Sequence, residues 1–243
     1  MPTAKDDTQG CVRWLIGLAV LAAVLAVLFR VVPAVDLQLA RLFYSPGAGF
    51  ALAGAPVWDA VLMSNKLASG LFVAVALILL AIGIVRRNRL WRQYWGLVIA
   101  LYLLGPGLIV NGTLKPLIGR ARPLQIAEFG GDGPFTAAWQ LSGYCRVGCS
   151  FVSAETSVAT ALVLLLIVGI GWFAGRPAAR WFRILLWPAL ALLGLTAIQR
   201  LGSGFHFLSD VIFAALIVVM LGTALACWMR PRARNADTQG PTR

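Results

Sequence analysis

Six stretches of the chain are apolar almost throughout, at about residues 14–35, 67–85, 93–114, 153–173, 184–199 and 209–229. Each approaches the ~20 residues a helix needs to cross a bilayer, the fifth being short. Between the first two, Val35, Leu39, Leu42 and Phe43 recur at helical spacing, with Asp36, Gln38 and Arg41 elsewhere. That pattern predicts a short helix lying in the membrane interface, or a plain connector with no ligand role. Arg86-Arg87-Asn88-Arg89 reads as a solvated hairpin, and Trp91, Tyr94 and Trp95 as an aromatic anchor after it. Gly105-Pro106-Gly107 interrupts the third span and predicts a kink. No internal repeat is visible, so residues 1–243 read as one domain.

Composition agrees with an all-α, polytopic membrane protein of six transmembrane helices. Of 243 residues, 60% are hydrophobic and 12% charged, and the mean hydropathy is +0.83. A formal charge of +12 raises nucleic acid as a partner. The cations, however, are dispersed in short clusters beside apolar runs, which excludes that reading and follows the positive-inside rule. The amino terminus, the loops at 86–92 and 174–183 and the tail at 230–243 carry thirteen Lys and Arg, and the opposite face eight. Both termini are therefore expected in the cytoplasm. Lys5 and Arg13 before the first span resemble a secretory signal, but no small-residue cleavage site follows, so an uncleaved span is expected.

Several of the eight outer cations need another explanation. Lys115, Arg120 and Arg122 fall within eight residues at a membrane boundary, where they can hold lipid headgroups or another anion. A Gly-rich loop follows, ending in Cys145-Arg-Val-Gly-Cys149. On an outer face this pair can close a small disulfide or stay as two reduced residues. Cys11 and Cys227 read as packing residues on the cytoplasmic side. Ser153 is placed as the N-cap of the fourth span, whose free backbone amides, starting at Ala154, make a ready oxyanion site. Glu155 in that first turn either suits the positive helix end or works as an acid. The chain's one histidine, His206, precedes Asp210 by four residues, so on a helix the carboxylate could reach a ring nitrogen. Alone this could be a structural pair at a helix start. Arg200, before Gly202 and Gly204, can fold back over the same spot. Cations, helix-start amides and an oriented imidazole together are what phosphoryl transfer requires.

These residues resemble the type 2 phosphatidic acid phosphatases. Lys115, six residues, then Arg122-Pro123 is similar to the family's first motif. Ser153-Ala154-Glu155 resembles the second, usually Pro-Ser-Gly-His. Arg200, five residues, His206, three residues, Asp210 matches the third, and the motifs span 115–210 in family order. The stretch from Asp36 to Phe50 is similar to the interfacial helix of bacterial members. The resemblance implies that His206 attacks phosphorus and forms a phosphohistidine, oriented by Asp210. It implies that Lys115, Arg122, Ser153, the Ala154 amide and Arg200 hold the phosphoryl oxygens, and that water then hydrolyses the intermediate. No cofactor and no metal are implied.

The departures are Gln199 for Ser, Val152 for Pro, Ala154 for Gly and Glu155 for His. The replaced histidine normally protonates the leaving alkoxide, and a glutamate must be neutral to do that. Nearby arginines favour its anion and burial favours its acid. Either Glu155 is tuned to act as the acid, or the leaving group needs little protonation. The second option points to lipid A 1-phosphate or a polyprenyl diphosphate over phosphatidic acid. The clipped loop followed by Ser-Phe-Val-Ser-Ala-Glu resembles the bacterial lipid A branch. The expectation is thus a lipid phosphatase of the bacterial inner membrane, acting on lipid A at the periplasmic face. Undecaprenyl diphosphate and phosphatidylglycerophosphate are the alternative substrates. A non-catalytic binder or transporter of anionic lipid is the reading from another class.

Overall fold

The structure, a computed structural model, describes residues 4–229; the tail at 230–243, whose arginines enter the charge count, lies outside the described residues. Among the described residues, six helices are long and apolar enough to cross a membrane. They are built from α1 (Ala4–Val31), α3 (Pro56–Val85), α4 (Arg89–Tyr102) with its continuation, α6 (Ala154–Trp172), α7 (Ala178–Gly202) and α8 (Leu208–Met229). Between α1 and α3 lie the short α2 (Ala34–Arg41) and a two-stranded hairpin, β1 (Tyr44–Ser45) with β2 (Gly49–Phe50). Many large apolar side chains point outward, among them Trp14, Val85, Trp187 and Trp228, as expected where lipid is the solvent.

α6 is the central helix, with 56% of its membrane window buried against 6% for α1. It packs against α3, α4, α7 and α8. Away from the motif region, Tyr94 is fully buried among Trp95, Trp172, Phe173 and Phe182, and its hydroxyl donates to the Leu165 carbonyl at 2.8 Å. The aromatic anchor of the sequence is thus a core. Near the motif region, Phe29, Val110, Phe151, Val152 and Phe213 form a second apolar cluster. A third, including Phe50, Ile126, Phe129 and Phe207, packs the hairpin onto the α7–α8 turn. That turn needs its glycines. Gly204 has φ +70°, and a Cβ there would lie 2.4 Å from the Phe50 ring, while one on Gly202 would lie 2.3 Å from Leu52.

The structure corrects four details of the sequence reading. α3 begins at Pro56, well before residue 67, and within it Asn65 turns inward, its side chain donating to the Glu155 carbonyl at 3.0 Å. Its polarity interrupts the apolar pattern without interrupting the helix. The expected kink at Gly105-Pro106-Gly107 is a π-helical segment, Leu103–Leu114, running on into α5 (Lys115–Ile118). Asn111 donates to the Pro106 carbonyl at 2.7 Å and Thr113 to that of Leu108 at 3.1 Å, each five residues back. Pro106 has no N–H to continue the narrower ladder. In α2 the buried residues are Asp36 and Ala40, while Leu42 beyond it is exposed. Cys11 and Cys227, read as packing residues, are bridged by a disulfide, which joins the start of α1 to the end of α8. These two sites lie 216 residues apart, so nothing in the local pattern could pair them. Cys145 and Cys149 are bridged as well.

Candidate active site

The α7–α8 turn brings Arg200 and His206 side by side. The backbone N–H groups of Phe205 and His206 both donate to the Arg200 carbonyl, at 3.2 and 3.1 Å. α8 starts at Leu208, so His206 precedes the helix and does not share a helical face with Asp210. The imidazole Nδ1 instead lies 2.7 Å from the Ser150 carbonyl, and Asp210 Oδ2 is 3.8 Å away. A carbonyl can only accept, so Nδ1 carries the hydrogen and Nε2 faces the opening. Asp210 acts at one remove. Its Oδ2 accepts from the Ser150 hydroxyl at 2.5 Å and from the Phe207 N–H at 2.8 Å. Ser150 is delivered by the long loop, whose backbone returns onto α5 and the residues after it through Ser142 N to Ile118 O, Cys145 N to Gly119 O and Ser150 N to Arg120 O.

Around Nε2 stand the charged side chains. Glu155 Oε2 is 3.6 Å from Nε2, and its Oε1 pairs with Arg200 at 3.1 Å. Arg200 Nε donates to the side chain of Gln199 at 2.7 Å, so this departure from the family's Ser holds the arginine. Arg122 and Arg200 lie over the Phe205 ring, each 4.6 Å from its centroid, which orients two like charges towards one space. Lys115 is close enough to interact with Glu155, Arg122, Asp210 and Arg200. Lys115, Arg122, Glu155, Arg200 and His206 are thus brought together from four segments. The Glu155 side chain, 24% exposed, lies between solvent and a His206 side chain that is 1% exposed. Ser153 is the N-cap that the sequence led one to expect. It caps α6 by accepting from Thr156 N at 3.3 Å, but it is fully buried and offers no surface to a ligand. Ala154 follows it at the start of α6, half-buried.

The sequence reading missed the group behind the imidazole. Arg120 is fully buried. It donates to Asp36 at 2.8 Å, to Asp210 Oδ1 at 2.7 Å, to Ser209 Oγ at 2.8 Å and to the Thr136 carbonyl at 2.8 Å. Its guanidinium lies 4.2 Å from the centroid of Phe207. Asp36 also accepts from the backbone N–H of Ser209 at 2.9 Å and from its hydroxyl at 2.6 Å. Burial raises the pKa of the Asp36 carboxyl, and the charge of Asp210 adds to this, while Arg120 opposes it. Removing one partner from such a buried pair commonly costs about 3–5 kcal/mol. The local signals were a cation between Lys115 and Arg122 and a carboxylate beside the apolar positions of α2.

A family model described as the PAP2 superfamily matches residues 93–234. Two curated proteins called lipid A 4'-phosphatase are similar over most of their length. One, from Rhizobium leguminosarum, is 31% identical over 221 residues, covering 84% of this chain and 90% of its own. The other, from Francisella tularensis subsp. novicida, is 29% identical over 199 residues, covering 79% and 85%. A lipid A 4'-phosphatase from Rhizobium etli is 39% identical over 124 residues, covering 51% and 45%. The solved structure of a transmembrane PAP2-type phosphatidylglycerolphosphate phosphatase from Bacillus subtilis aligns with a TM-score of 0.55 at 16% identity, over 88% of this chain and 94% of that one. At that identity the likeness concerns the fold.

Proposed function

Since the chain belongs to the PAP2 superfamily, we propose that this membrane lipid phosphatase removes a phosphate from lipid A, at the periplasmic face of the bacterial inner membrane, through a phosphohistidine on His206. The observation that carries the reading is the imidazole, whose Nδ1 is tied to the Ser150 carbonyl at 2.7 Å. Its Nε2 is thereby left for the space shared by Arg122, Arg200 and Lys115. In the first step Nε2 bonds to phosphorus as the bond to the leaving oxygen breaks, and the three cations and the amides opening α6 hold the remaining oxygens. In the second, water attacks phosphorus, the N–P bond breaks and the water proton passes to a base at the site.

Glu155 has to move for this to happen. An attacking atom stands about 3 Å from its target, and an acid about 2.6–3.2 Å from the oxygen it protonates. A phosphoryl group in line between them, its P–O bond included, therefore requires roughly 7 Å, and Glu155 Oε2 lies 3.6 Å from Nε2. Substrate replaces the carboxylate beside His206, and Arg200 exchanges its partner. The three relatives named for the 4' position support the 4'-phosphate as first substrate, in place of the lipid A 1-phosphate or polyprenyl diphosphate to which the sequence pointed. A 4'-oxygen is an ordinary sugar hydroxyl and leaves poorly without a proton, which favours Glu155 as its donor: paired with Arg200 it is a carboxylate, so it takes up a proton as it leaves that partner and gives it to the 4'-oxygen.

Phosphate release by purified protein, without added metal, from lipid A, undecaprenyl diphosphate, phosphatidylglycerophosphate and phosphatidic acid tests the proposal. Lipid A is expected to react fastest and to lose its 4'-phosphate. Faster release from another lipid reassigns the substrate, and no release from any overturns the reading. The orientation makes a second prediction. A reporter fused after Gly131 reads periplasmic and one after Arg87 cytoplasmic, and the reverse pattern sinks the assignment of faces.

A further inference from the structure

The outstanding feature behind the site is its charge count. Asp36, Arg120 and Asp210 are all fully buried, and the one guanidinium bridges both carboxylates, at 2.8 and 2.7 Å. The two oxygens of Asp36 accept from three donors: the guanidinium, the Ser209 hydroxyl and the Ser209 N–H. Ser209 Oγ accepts from Arg120, so its own hydrogen points to Asp36. Every contact of Asp36 thus suits the anion. Two carboxylates against one guanidinium leave one negative charge, and the end of the cluster nearest the imidazole is Asp210, whose Oδ2 is 3.8 Å from Nδ1.

We propose that Asp36, from the interfacial helix α2, is a positioning residue for the nucleophile: by occupying Arg120 it leaves the negative charge of Asp210 free to support His206. Without Asp36, Arg120 and Asp210 cancel, and the imidazolium loses its counter-charge. Without Arg120, both carboxylates act on the ring. α2 is then more than a connector between spans. It completes an electrostatic relay running Asp36, Arg120, Asp210, Ser150 and His206 across four segments of the chain. The other charged groups near the ring are Glu155 on α6, Arg200 on α7, Lys115 on α5 and Arg122 beyond it, and none of these is altered by the test below.

The proposal rests on His206 being the nucleophile. It predicts displacements of opposite sign from the two members of one ion pair. In the pH dependence of kcat/KM, Asp36→Asn moves the acidic limb to lower pH and Arg120→Gln moves it to higher pH, each by about half a unit or more. Titration of the substrate phosphate shifts neither, because the substrate is the same throughout. Asp36→Glu and Ser209→Ala keep the charges and leave the limb where the wild type has it, even if they lower kcat. The chain's single histidine gives a second readout, since a ¹⁵N-labelled imidazole yields one ring titration, expected to move in the same directions. Shifts of the same sign, or no shift in folded variants, overturn the proposal. If only one charge variant folds, its shift against Asp36→Glu decides. Failure of both to fold makes the pair purely architectural and also overturns it. If His206→Ala stays active, the reading of the nucleophile fails instead, whatever the limbs do.

Discussion

On the proposed mechanism, replacing His206 by alanine is expected to lower lipid dephosphorylation by about 10⁴-fold or more, because the covalent nucleophile would be lost and no second histidine exists to replace it. The fold is expected to survive. Asp210 keeps its bonds to Arg120, Ser150 and the Phe207 amide, and what disappears is the ring's bond to the Ser150 carbonyl with its looser contacts to Glu155 and Asp210. His206→Asn, which can still donate to that carbonyl, serves as the control and should be equally inactive. A variant that melts like the wild type but turns over within tenfold of it removes His206 from the mechanism. Labelled substrate should also leave label on the wild type that is labile to acid and stable to base, with none on His206→Ala. Label stable to both would point to a different nucleophile.

Glu155→Gln gives the second large effect, and its size depends on the substrate. Gln keeps the shape and can still accept from Arg200, which pairs with Glu155 at 3.1 Å, but it has no acid proton to transfer. General acid catalysis typically contributes about 10²- to 10⁴-fold, so removal of a sugar 4'-phosphate should slow by that much. With undecaprenyl diphosphate, whose leaving phosphate is stable as an anion, the loss should stay below about tenfold. Comparing both substrates on one variant reads leaving-group dependence directly. Equal losses on the two mean that Glu155 serves to hold Arg200. Glu155→His then restores nothing, whereas an acid role gives partial rescue.

Of the fold, the six spans were legible because each side of a membrane helix meets an apolar medium, so hydropathy reports it without knowledge of its neighbours. The exceptions are instructive. Asn65 made α3 look shorter than it is, since a polar residue facing the bundle lowers hydropathy just as one facing water does. The Gly-Pro-Gly of the third span marked an interruption, but whether it bends or widens the helix depends on which side chains take up the released carbonyls. At the site, Lys115, Arg122, Arg200 and His206 stood out as charges or a lone imidazole beside apolar runs. Their convergence on one space agrees with the order of their motifs.

The partners of those residues were not legible. The four-residue spacing of His206 and Asp210 suggested a contact on one helical face; the two do come within 3.8 Å, but across a turn, because the helix begins only at Leu208. The ring is held by a backbone carbonyl, a group every residue has and no sequence pattern marks. Arg120 was visible as a cation and Asp36 as one polar position on a short helix, 84 residues apart. Sequence by itself therefore determined which residues bear a charge or an imidazole and that they sit among membrane helices, because charge and hydropathy are properties of single residues and short windows. Only the tertiary structure decided what each charge faces, that Glu155 sits against His206 and that α2 is linked through Arg120 to Asp210 beside His206. Pairings of that kind are made by packing between distant segments, where the cost of burying a charge is offset only by a partner brought from elsewhere in the chain.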